Sequence, residues 1–109
     1  MIVSENNVSD ALTYLADDPH PLARARKEIT DAENKAKRLY ARAFMDAQGS
    51  VEARKSAAET DDEYVIAKDD EAEAIFQLER HKARVKAAEM ILEIWRTEQA
   101  NIRATERIR

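Results

Sequence analysis

Residues 61–107 read DDEYVIAKDDEAEAIFQLERHKARVKAAEMILEIWRTEQANIRATER, and this stretch decides the fold. Tyr64, Ala67, Glu71, Ala74, Leu78, His81, Val85, Ala88, Leu92, Trp95, Gln99 and Ile102 recur in alternating steps of three and four. With 3.6 residues per turn, that rhythm lays all of them along one stripe of an α-helix. A helix over 61–107 reaches roughly 65–70 Å at 1.5 Å per residue. Such a helix needs something along its stripe, because a long isolated helix gains little stability from propensity alone.

The partner lies upstream. Leu22, Ala25, Ile29, Ala32, Ala36, Leu39 and Ala43 repeat the same rhythm, predicting a helix over 22–48. The only glycine, Gly49, stands where a left-handed residue would end that helix. Alanine at alternate seam positions lets two helix axes approach closely, and a short connection makes neighbours antiparallel. Residues 49–60 stay open between a helical turn and a loop. Ser50 is suited to cap a helix that runs on, while Thr60 and Glu63 have the spacing of a capping box that starts afresh.

Residues 1–20 form an acidic segment. Ser9 is placed to cap a short helix containing Ala11, Leu12, Leu15 and Ala16. Asp17-Asp18-Pro19-His20-Pro21 stops it, and Pro21 suits the first turn of the next helix. The organisation read from sequence is therefore 1–20 as the N-terminal segment and 21–109 as the hairpin, with a turn region at 49–60 and a long helix at 61–107. The fold class is all-α: a long antiparallel helical hairpin or coiled coil with a short N-terminal helix, self-associating.

Composition agrees. Of 109 residues, 37% are charged, with one Gly, two Pro and no Cys. Few turn formers and many Ala, Glu, Lys and Arg mark long helices. Without cysteine there is no disulfide framework and no thiolate chemistry. No signal peptide and no run near the roughly 20 apolar residues of a membrane span is evident, so a soluble cytoplasmic protein, away from membranes, is expected.

A narrow alanine seam buries little area, yet further apolar residues lie off it. Phe44, Ile75, Phe76 and Ile91, with Trp95 on the stripe itself, are the candidate oligomer interface. Coverage of some of these by the N-terminal helix is the alternative.

Charge is sorted along the chain. Residues 1–20 are net −4, 21–42 net +4, 43–79 net −8 and 80–109 net +4, which sum to the formal −4. A hairpin turning near 49–60 puts the acidic segment at its tip and brings the basic ones to the other end. The candidate nucleic-acid-binding residues are Arg24, Lys35, Arg38, Arg42, Arg80, Arg84, Lys86, Arg96, Arg103 and Arg107. Such a surface attracts phosphate chains by counterion release, without reading sequence. Interleaved Glu28, Asp31 and Glu33 also fit plain intrahelical pairing on a solvated face.

No arrangement specifies a reaction. There is no glycine-rich phosphate loop, no framed Ser–His pair and no EF-hand spacing around Asp61-Asp62-Glu63 or Asp69-Asp70-Glu71. Acidic residues early in a helix answer its dipole. No cofactor or metal is expected, and the chain reads as a non-enzyme. His81 falls on the seam, where a hydrogen-bonded packing role is the common one. Trp95 reads first as a packing residue and second as a base-stacking platform beside Arg96 and Arg103.

Two runs carry a resemblance: Ala41-Arg42-Ala43-Phe44-Met45-Asp46-Ala47-Gln48-Gly49-Ser50-Val51-Glu52-Ala53-Arg54-Lys55, and Glu93-Ile94-Trp95-Arg96-Thr97-Glu98-Gln99-Ala100-Asn101-Ile102-Arg103. They resemble segments of small phage-encoded helical recombination accessory proteins, similar to the UvsY-type recombination mediators. That resemblance implies a self-associating helical protein that binds single-stranded DNA. It also implies a recombinase or single-strand binding protein as partner, and DNA contacts at Arg96 and Arg103. The expected function is a non-enzymatic, oligomeric single-stranded nucleic-acid-binding accessory protein assisting phage recombination or replication. The alternative is an acidic helical protein-interaction module: a phage assembly factor, or an inhibitor of a host defence protein.

Overall fold

The computed structural model describes residues 3–108. Among the described residues four helices follow in order: α1 Glu5–Ala16, α2 Pro21–Asp46, α3 Val51–Glu59 and α4 Asp62–Ile108. No strand occurs among the described residues. None of the helices is long and apolar enough to cross a membrane.

The start and stop signals are local. Ser4, not Ser9, caps α1: its side-chain oxygen accepts the Asn7 N–H at 3.1 Å. The helix thus begins well before the residue expected from sequence, and Ser9 lies inside it. Its C-terminus falls at Asp17, ahead of the prolines. Pro21 opens α2, and His20 acts as its cap, Nδ1 accepting the Leu22 N–H at 3.0 Å. Gly49 has φ +108°, the left-handed region that disfavours a Cβ. Ser50 then caps α3 by accepting the Ala53 N–H at 3.1 Å, so 51–59 is helix. Thr60 closes α3 rather than opening α4; the cap of α4 is Asp61, which accepts the Tyr64 N–H at 3.1 Å. The Thr60 hydroxyl turns back to donate to the Ser56 carbonyl at 2.8 Å, and Glu63, the far half of the expected capping box, reaches Arg42 at 3.3 Å.

The chain forms two compact units, with α4 passing through both. One unit comprises residues 23–79. There, Ala36, Leu39 and Ala67 make a buried cluster with Tyr64 packed against it. Tyr40 meets Tyr64 edge-on at 5.3 Å, and Arg42 meets Glu63. As residue numbers rise along α2 they fall along α4, so the pair is an antiparallel hairpin closed by α3. Ala36 and Ala67, 3% and 2% exposed, form the floor of the seam. Little area is buried there, but the small side chains let the helices come close. Glu71 on the seam is neutralised by Lys68 at 3.0 Å. At the turn, the Arg54 guanidinium donates from Nε to the Phe44 carbonyl at 3.2 Å and lies 4.8 Å from the Phe44 ring centre. That contact satisfies one of the carbonyls a helix C-terminus leaves without partners.

The other unit comprises residues 1–22 and 80–109. Here α1 packs on α4, also antiparallel. Ala11, Tyr14 and Ala88 form the buried cluster, with Leu15, Val85, Ile91 and Leu92 against it. The Tyr14 hydroxyl lies 3.0 Å from His81 Nδ1, and the Arg84 guanidinium sits 4.1 Å from the Tyr14 ring centre. His20 meets the same ring edge-on at 4.9 Å. At the other end of α1, the Val3 N–H donates to a Glu98 carboxylate oxygen at 3.3 Å. Residues 1–20 thus share a unit with 80–109.

Two outcomes follow for stability. Ala67→Leu adds apolar bulk to a seam with no room, and should cost about 1–3 kcal/mol in urea unfolding. His20→Ala removes a cap and a ring contact; the cap alone is worth about 1 kcal/mol. His20→Asp should recover that capping part in the same measurement.

Candidate nucleic-acid interface

α2 sorts its side chains around the seam. At 100° per residue, Ala36 and Leu39 face α4, Lys35, Arg38 and Arg42 fall on one flank, and Lys37 and Tyr40 fall on the other. Lys35, Arg38 and Arg42 are exposed, while Leu39 beneath them is buried. Together with Leu39 they line a groove of about 350 Å³. The cations at i, i+3 and i+7 form one row, held by a helix whose adjoining face is packed against α4. Arg42 is shared with the Glu63 carboxylate, both ends exposed, so this pair adds little stability and is open to exchange for another anion.

On the other flank a groove of about 390 Å³ is lined by Glu33, Ala36, Lys37, Tyr40, Tyr64, Lys68 and Glu71. Two tyrosine rings stand in it above an alanine floor, with a lysine from each helix. The hydrogen bond from Lys68 to Glu71, and then that carboxylate's charge, hold the Lys68 amine above its ordinary range. Tyr64 and Lys68 were not among the binding residues expected from sequence. Lys37 and Tyr40 sit three apart on one helix, Tyr64 and Lys68 four apart on the next. Which pair faces which depends on the register between α2 and α4, and the sequence pattern does not state that register.

The remaining basic candidates are distributed differently. Arg24 belongs with the row on α2 to the 23–79 unit, while Arg80, Arg84, Lys86, Arg96, Arg103 and Arg107 belong to the other. Helical geometry puts Arg96, Arg103 and Arg107 on one face of α4, all three exposed. Arg80 and Arg84 lie on another face, and Arg84 is engaged by Tyr14. Counted from the sequence, the unit of residues 1–22 and 80–109 holds eight basic and eight acidic residues, net zero. Residues 23–79 hold ten basic and fourteen acidic, net −4.

Of the expected interface residues, Ile91 is packed against the α1–α4 cluster. Ile75 and Phe76 are 44% and 56% exposed. Phe44 and Trp95 are half-buried, Phe44 beneath the Arg54 guanidinium.

No protein-family model matches the chain, and no curated protein and no solved structure matches it either.

Proposed function

We propose that this chain is a non-enzymatic, oligomeric single-stranded nucleic-acid-binding accessory protein that assists phage recombination or replication. The observation that carries the reading is the row of Lys35, Arg38 and Arg42 along one groove of α2. Cations spaced along a rigid helix engage successive backbone phosphates and release counterions, a mode that needs no base-specific contacts. Tyr40 and Tyr64 in the neighbouring groove offer aromatic surface to unstacked bases. Arg96, Arg103 and Arg107 supply a second row on α4. Self-association would multiply these rows and offset the acidic balance of the whole chain. The recombination setting, with a recombinase or single-strand binding protein as partner, rests on the resemblance to UvsY-type mediators.

A second reading is an acidic protein-interaction module. It is favoured by the −4 balance of residues 23–79 and by exposed Asp62, Asp69 and Asp70 on α4.

Anisotropy of a labelled poly-thymidine strand, titrated at several salt concentrations, separates the two. Under the nucleic-acid reading, Lys35→Glu, Arg38→Glu and Arg42→Glu combined should weaken binding at least about tenfold. The logarithmic salt slope should become shallower by roughly 2 units, near 0.7 per lost phosphate contact. Asp69→Lys with Asp70→Lys should leave binding intact or strengthen it. Wild-type protein that ignores the strand at low salt overturns the reading in favour of a protein target.

A further inference from the structure

Val85, Ala88 and Leu92 of α4 lie in the seam with α1. A second series, Ala83, Ala87, Met90, Ile94 and Thr97, steps along α4 in fours and threes. At 100° per residue it lies roughly 170° around the helix from the first. Ala83, Ala87, Met90 and Thr97 are exposed and Ile94 is half-buried. Met90, Ile94 and Thr97 line a groove of about 470 Å³ together with Glu93 and Glu98.

We propose that this face of α4 docks a second copy of the chain, α4 against α4, antiparallel, in a register centred between Ala88 and Glu89. The inference rests on the self-association in the proposed function and assigns it a surface and a direction. Two independent features select the register. The first is steric. Turning a second α4 about that centre sets Met90 opposite Ala87 of the other copy, and Ile94 opposite Ala83. Each large side chain then meets a small one, and twofold symmetry repeats each match. A parallel pair would set Met90 on Met90 and alanine on alanine, crowding some layers and leaving gaps in others.

The second feature is electrostatic. One flank of this stripe carries Arg84 and Ile91, which face α1 and Tyr14. The opposite flank carries Lys86 and Glu93, both exposed. In the antiparallel register Lys86 of each copy meets Glu93 of the other, giving two symmetric pairs. A parallel register sets neither opposite an opposite charge. Flanking pairs of this kind fix orientation more than they add affinity.

The test combines light scattering for mass with cysteine cross-linking, which is clean because the chain has no cysteine of its own. Wild type should be a dimer. Met90→Glu, at an exposed position, should shift it to monomer with the helical circular dichroism unchanged. Lys86→Glu should weaken the dimer at least about fivefold, and adding Glu93→Lys in the same chain should restore it. A mixture of Ala83→Cys and Ile94→Cys chains should oxidise to the mixed product. Ala83→Cys alone should not link, because like residues are roughly 16 Å apart along the axis. A monomeric wild type, a dimer indifferent to Met90→Glu, or ready self-linking through Ala83→Cys would each overturn the proposal. Poly-thymidine titration of the same samples keeps the readings apart. A cross-linked dimer that ignores DNA supports the docking and sinks the nucleic-acid reading, whereas DNA binding by a monomer does the reverse.

Discussion

Small side chains at Ala36, Ala67, Ala11 and Ala88 set how close two helix axes can come, and the rest of the structure follows from that closeness. α4 spans 47 residues and is too long to be stable by propensity alone. It is held by α2 along one part of its length and α1 along another, each within its own compact unit. Where alanine faces alanine the contact is narrow, so larger groups at its edges fix the register. In one unit these are Leu39, Tyr40 and Tyr64; in the other, Tyr14 with its ring of His20, His81 and Arg84.

That narrowness has a functional consequence. An alanine floor leaves the flanks of α2 open, so cations on either side are presented to solvent from a helix packed against α4. Lys35, Arg38 and Arg42 occupy one flank, and the Tyr40 and Tyr64 rings with Lys37 and Lys68 occupy the other. A hairpin built on leucine would spread its side chains across those flanks. Electrostatic rows therefore come from the same choice of residue that brings the helices together.

Polar groups near the seams are paired rather than left bare. Glu71 takes Lys68, the Tyr14 hydroxyl takes His81, and the Phe44 carbonyl takes Arg54. Among the described residues no buried side-chain polar atom lacks a partner. Exposed apolar residues on α4, such as Phe76 and Met90, stand in contrast to this satisfied interior.

The sequence by itself determined the all-helical class, the end of α1 before the prolines, the start of α2 at Pro21, and the left-handed turn at Gly49. Each depends on near neighbours: a three-to-four apolar rhythm, a ring that fixes φ, a residue without Cβ. It left 49–60 open, with Ser50 and Thr60 both offered as caps, and put the cap of α1 at Ser9, because Ser, Thr and Asp compete for the same role. Local contacts resolved that competition, with the Thr60 hydroxyl turned back to the Ser56 carbonyl and Asp61 capping α4. Tertiary structure alone settled the pairing of α1 with residues 80–109, the meeting of both histidines on Tyr14, and the grouping of Tyr64 and Lys68 with Lys37 and Tyr40. These contacts join positions far apart in the chain, and a helical stripe states which face is apolar without stating what will cover it.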